Sequence, residues 1–164
     1  MPPRIDNEIS LLPSILDRLL DDEPGVTHEP LPRRAQNLRQ LKKAVTRDLE
    51  ALLNTRQETL QELPAEFTAL SRSILTYGLP DFTAFGLLNT HDRNRIRRIL
   101  EQAVAAYEPR LARVRVTLEP PREYDRTMRF RIEALLRVEP APEPVTFDAM
   151  LQLSTHEYTV QGRD

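Results

Sequence analysis

Apolar residues recur at steps of three and four over two long stretches of this chain, and at steps of two over three others. Leu38, Leu41, Val45, Leu49 and Leu52 form one helical stripe, which predicts a helix over about 35–55. Lys42, Lys43, Arg47, Asp48 and Glu50 fall largely off that stripe, as a solvated or partner-facing surface would. Ile96, Ile99, Leu100, Ala103 and Tyr107 form a second stripe and predict a helix over about 90–107, with Thr90 as its N-cap and Asp92 in its first turn. Beyond Glu108 the period becomes two. Val114, Val116 and Leu118 share one face, as do Phe130, Ile132, Ala134, Leu136 and Val138, then Val145, Phe147, Ala149, Leu151 and Leu153. A last short strand is expected near 157–160. The connectors LEPPREYDRT and EPAPEP are short and proline-rich, so successive strands should pair antiparallel. The predicted class is α+β: an antiparallel sheet of three to four strands, packed on one face by two long helices, with an N-terminal helical arm.

The punctuation between these segments divides the chain. Residues 9–20 place Ile15, Leu16, Leu19 and Leu20 at helical spacing, with Ser14 near the start, and predict one short helix. The stretch DDEPGVTHEPLPRR that follows has no periodicity and reads as a tether. Residues 1–34 are thus expected to be an arm, and 35–164 a single domain. A short helical segment is expected over 67–75, around Phe67, Leu70, Ile74 and Leu75. YGLPDF is a forced turn: Gly78 permits positive φ, Pro80 pushes Leu79 to extended geometry, and Asp81 can bond nearby backbone. Pro109 stops the second long helix near Tyr107, leaving Glu108 at the negative end of the helix dipole. An exposed anion there is unfavourable by about 0.3–1 kcal/mol, so Glu108 calls for a cation, either Arg110 or one that a partner supplies.

With 164 residues, 40% of them hydrophobic, and a net charge of −2, the chain fits one well-buried core and offers no bulk reason to bind nucleic acid or a membrane. Cysteine is absent, which excludes disulfides and thiolate metal sites and suits a reducing cytoplasm. No leader is expected at MPPRIDNEIS, which lacks an apolar region, and no run approaches the length of a membrane span. All but two of the 23 basic residues are arginine, a residue suited to interfaces. Residues 1–32, by contrast, are acidic. On the polar face of the predicted sheet, Arg113, Arg115, Arg129, Arg131 and Arg137 meet only Glu133 and Asp148 as clear acids. This face is either solvated or a basic surface for an acidic partner.

Catalytic patterns are scarce. His28, His91 and His156 are scattered without metal-ligand spacing, and no nucleophile-elbow, phosphate-loop or dinucleotide motif occurs, so neither a metal nor a cofactor is expected. Asp81 and Glu108 are the one carboxylate pair to consider for glycoside hydrolysis. The arginine at 110 opposes the protonated form a general acid needs, and no tryptophan is present to line a sugar cleft. Arg93, Arg95, Arg97 and Arg98 lack interleaved aromatics, and Glu101 is placed to pair with Arg97 or Arg98.

The ordered set SILDRLL, RDLEALLNTR at 47–56, SILTYGLPDF at 73–82, a helix ending YEPRL and a strand beginning VRV resembles the TssE family. These are the small wedge components of the type VI secretion baseplate, similar to phage-tail baseplate wedge proteins once labelled lysozyme-like. The resemblance runs from about residue 10 to 160. It implies a non-enzymatic building block of a contractile injection machine, without cofactor, on the cytoplasmic side of the inner membrane. It implies that Glu108, Pro109 and Arg110 dock the sheath proteins TssB and TssC and template the first sheath ring. Wedge proteins TssF and TssG are implied as further partners, with TssK a further candidate. The family motifs carry over to Arg47, Asp48, Leu49, Asn54, Arg56, Tyr77, Gly78, Pro80, Asp81 and Phe82, as structural residues. One departure is Ala51, where many relatives have a bulky aromatic. An anti-adaptor regulator of the same fold and a peptidoglycan hydrolase stay open as alternatives.

Overall fold

Each long helix begins on an asparagine. Asn37 and Gln40 close a reciprocal capping box at the start of α2, Leu38–Asn54, with bonds of 2.9 and 3.0 Å. Asn89 caps α3, Thr90–Tyr107, by accepting from the His91 amide at 2.9 Å. The expected cap, Thr90, is instead the first helical residue. Asparagine ranks above threonine at this position, and Asn89 is one residue better placed to reach the free amides of the first turn. In this computed structural model, residues 13–20, 24–25, 37–57, 66–70, 73–82, 85–86, 88–120, 127–152 and 154–163 are described. Most of the expected tether, the 121–126 part of the first strand connector, His28 and Leu153 lie outside them.

The sheet comprises β1 Leu111–Leu118, β2 Thr127–Leu136, β3 Glu143–Gln152 and β4 Glu157–Arg163, ordered β1-β2-β3-β4 and antiparallel throughout. The α+β class with helices on one sheet face is therefore as the periodicity predicts. Strand β4 runs three residues beyond the predicted 157–160. α3 lies over β1 and α2 over β4. Val45, Leu49, Ile96, Leu100 and Val104 close on Phe130, Ile132, Leu136 and Phe147, and all of these are buried. The two stripes thus meet the period-two face of the sheet, and burying apolar surface there holds the domain together.

Two local departures have physical causes. In β1, Leu111 and Val116 both point into the core although five positions separate them, which a regular strand forbids. The register shifts between Ala112 and Arg115, and Arg113 adopts φ +53°, so a β-bulge restores the inward phase. Between the helices, the described part of 67–75 is turns and short 3₁₀ structure, including Ile74–Thr76, and Phe67, Ile74 and Leu75 stay exposed instead of packing as a helix face. Ser73 and Thr76 hydroxyls bond backbone carbonyls in this stretch, offering the chain local turns in place of a helix.

Both outer strands are covered along their free edges by helix side chains. Asn54 exchanges two bonds of 2.9 Å with the backbone of Tyr158, and Glu50 accepts from the Val160 amide at 3.0 Å. On the other side Glu101 accepts from the Val116 amide at 3.0 Å while Arg93 donates to the Leu118 and Glu119 carbonyls. Polar groups that would otherwise invite another strand are occupied.

Candidate functional site

Glu108 is the residue at which α3 gives way to β1. Its backbone amide still donates to Val104 at 2.9 Å, and its φ of −117° and ψ of 81° leave the helix, as the following proline requires. The side chain is nearly enclosed, the residue being 4% exposed. A carboxylate buried at the negative end of a helix needs a close cation. Arg110 supplies it. Nε donates to Glu108 Oε1 at 2.7 Å and Nη2 to Oε2 at 2.5 Å, a bidentate fork, while the Arg110 amide adds a bond of 3.2 Å to Oε1.

The same Nη2 reaches across to Asp48 Oδ2 on α2 at 2.5 Å. Asp48 in turn receives Arg47 through Oδ1 at 2.7 Å, and Arg47 Nη2 donates to Asp17 at 2.8 Å. Asp17 belongs to α1, Ile15–Leu19, where its other oxygen closes a capping box with Ser14. Alternating charges therefore run from the arm helix, across α2, to the α3–β1 corner. The Glu108 hydrogen bonds, opposed by burial and assisted by Asp48, hold the Arg110 guanidinium above its ordinary range. Arg110 Nη1 is buried with no hydrogen-bond partner.

Aromatic residues wall this network. Tyr77 and Tyr107 meet edge to face with ring centroids 5.1 Å apart, and the Tyr107 hydroxyl lies 2.5 Å from that of Thr76. Burial, with the nearby charges of Asp48 and Glu108, pushes the Tyr77 hydroxyl up. Gly78, at φ +103°, lets the chain pass against Thr55: a β-carbon there would lie 2.4 Å from the Thr55 carbonyl oxygen. Leu79 then bonds Thr55 and Gln57 through a short bridge that joins Arg56 to Leu79.

The family model of baseplate wedge protein gp25 matches residues 39–141, a span that holds α2 from its second residue, the Gly78 turn, α3, the corner, β1 and β2. The chain belongs to this family. In fold it is similar to a chain in a solved baseplate complex from the type VI secretion system, at a TM-score of 0.50 and 23% identity, covering 74% of this chain and 95% of that one. None of the curated proteins matches it in sequence.

For this baseplate wedge family member, the structure gathers part of the sequence-predicted set at one place and spreads the rest. Arg47, Asp48, Tyr77, Glu108 and Arg110 form the corner network. Pro109 is exposed beside it. Leu49 is buried in the core, Asn54 holds β4, and Arg56 and Gly78 take part in the turn pairing. Pro80, Asp81 and Phe82 continue that turn, Phe82 meeting Phe85 edge to face with ring centroids 5.7 Å apart.

Arg113, Arg115, Arg129 and Arg131 lie away from the core, where more acids interleave than the sequence alone suggests. Arg115 pairs in register with Glu133. Arg131 donates to Asp148 at 2.9 Å, and Glu119 and Glu133 also act on its charge. Glu101 pairs with Arg97 at 3.0 Å, as its spacing predicts, while sequence reasoning missed its bond to the Val116 amide, and missed Asp17 and Glu50 as structural acids. Glu50 and Asn54 stand four residues apart on α2 beside buried Leu49 and Leu53, and polar residues flanking a core stripe were the available signal.

Proposed function

We propose that this chain is a structural, non-enzymatic wedge subunit of a type VI secretion baseplate, assembled on the cytoplasmic side of the inner membrane, whose Glu108-Pro109-Arg110 corner docks and templates the first sheath ring. Family membership supports the baseplate role, and the likeness in fold agrees with it. The observation that carries the docking role is Arg110. Two carboxylates hold its guanidinium, and the side chain stays 24% exposed beside exposed Pro109, so a fixed cation is presented at the surface. Glu108, enclosed and doubly engaged, positions Arg110, and Arg110 with exposed Pro109 meets the sheath proteins TssB and TssC. TssF and TssG join the subunit through other surfaces, with the charge-interleaved sheet face a secondary one.

A second reading is favoured by the 4% exposure of Glu108: the pair is a bridge that stabilises the helix–strand corner. Arg110→Lys keeps a cation between Glu108 and Asp48 and removes the fork. Docking predicts that this variant melts near wild type and associates with wedge proteins, yet loses fluorescent sheath assembly in cells. A lowered melting temperature with normal sheath nucleation would sink the docking role. Arg110→Ala is the less informative variant, since it leaves Glu108 buried and unpaired at a cost of about 3 kcal/mol or more. Purified protein should also leave the turbidity of a peptidoglycan suspension unchanged. Clearing that Glu108→Gln abolishes would make the chain a hydrolase.

A further inference from the structure

Arg113 occupies a backbone position that glycine ordinarily takes. Between the pairs Ala112↔Leu135 and Arg115↔Glu133, β1 has two residues, Arg113 and Val114, where β2 has the single Ala134. The first of the two is at φ +53°, the left-handed region in which a bulge of this kind usually carries glycine. His156 is the other non-glycine at positive φ among the described residues. It lies in the β3–β4 hairpin, and histidine is a residue type enriched in that region. Arginine is not, and the bulge does not call for one. The extra residue restores the inward phase whatever its side chain, and Val114 is the member that packs against the core.

The Arg113 side chain is exposed, and among the described residues it makes no hydrogen bond or ion pair. Its neighbours on the sheet differ, since Arg115 stands opposite Glu133 and Arg131 donates to Asp148. Arg110 differs too: its Nε and Nη2 are engaged by Glu108 and Asp48. Arg113 follows Arg110 by three residues, so their Cα atoms are at most about 11 Å apart. An unfavourable backbone conformation at an exposed side chain with no partner inside the fold points to a contact made outside the chain. We infer that Arg113 is a second contact residue of the corner, whose guanidinium takes a carboxylate on an acidic segment of the docked sheath subunit. Its uncommitted fork matches a carboxylate through two parallel bonds. A phosphate would fit the same fork, but Asp17, Asp48 and Glu108 at the corner and a net charge of −2 oppose a polyanion. Such a contact rests on the docking reading of the corner and adds the chemistry of the partner to it.

The test titrates the full chain and its variants with purified sheath proteins TssB and TssC at about 50 mM and about 300 mM salt, and reads melting temperatures on the same samples. Asparagine suits the left-handed backbone, so Arg113→Asn should melt at or above wild type. It should weaken sheath binding about fivefold at the lower salt and by less at the higher. Arg113→Glu should weaken binding further, because it sets like charges against each other. A melting temperature lowered by Arg113→Asn would make the side chain structural and overturn the contact. Binding lost in Arg110→Lys yet unchanged in both Arg113 variants leaves the docking corner standing and removes Arg113 from it. Binding kept in Arg110→Lys but weakened in the Arg113 variants removes the Arg110 role and keeps the Arg113 contact. Wild-type protein that does not bind the sheath proteins ends both.

Discussion

Asn54 and Tyr158 are 104 residues apart and hydrogen-bond reciprocally, Asn54 Nδ2 to the Tyr158 carbonyl and the Tyr158 amide to Asn54 Oδ1, each at 2.9 Å. The side-chain amide thus imitates a neighbouring strand and ties the last residue of α2 to the outer edge of β4. An open strand edge is a template for pairing with another chain, and this contact occupies part of the β4 edge.

Asn54→Ala should lower unfolding free energy by about 1–2 kcal/mol in urea titrations, the worth of two bonds partly replaced by water. Asn54→Asp should be at least as damaging. It keeps the acceptor for the Tyr158 amide but sets an anion against the Tyr158 carbonyl at a helix C-terminus.

Gly78→Ala should cost about 2 kcal/mol or more, read from the melting transition. The positive φ is unfavourable for alanine, and its β-carbon collides with the Thr55 carbonyl that accepts the Leu79 amide at 2.8 Å. Gly25, around which there is open space, should tolerate the same change.

Stability should fall above about pH 10. Burial, with the charge of Asp81, pushes the Tyr158 hydroxyl well above its ordinary value of 10.0, and Tyr77 shifts the same way. The unfolded chain releases these protons first, so the folded state holds more protons in that window. The contribution is fully present below the unfolded pKa and is lost as pH rises from there toward the folded one, by up to about 1.4 kcal/mol per pH unit for Tyr158 and by less for the more exposed Tyr77. Urea titrations between pH 9 and 11 should show the slope, and Tyr158→Phe should remove one group's share.

Removal of residues 1–32 should leave a cooperative melt, because the Arg47–Asp17 pair is half exposed on its arginine side and such pairs contribute about 0–1 kcal/mol. Binding to other wedge proteins should weaken. Loss of the cooperative transition would make the arm part of the core.

Helices α2 and α3, the inward faces of β2 and β3 and the stop at Pro109 are legible from the chain because each depends on period or on backbone stereochemistry within a few residues. Leu41, Val45 and Leu49 mark a buried face whatever lies opposite. The need of Glu108 for a cation is equally local, since helix polarity and the proline set it, and Arg110 stands two residues on. The third member is another matter: Asp48 lies 62 residues before Arg110, and nothing in the period of either segment couples them. The same holds for Asn54 with Tyr158, Glu50 with Val160 and Glu101 with Val116, and for the bulge that turns Arg113 to positive φ. A hydrophobic pattern states which face of an element is buried. Which polar side chains then come within 3 Å depends on how far one helix slides along the sheet before its ridges seat, and that is settled by packing among residues a hundred positions apart.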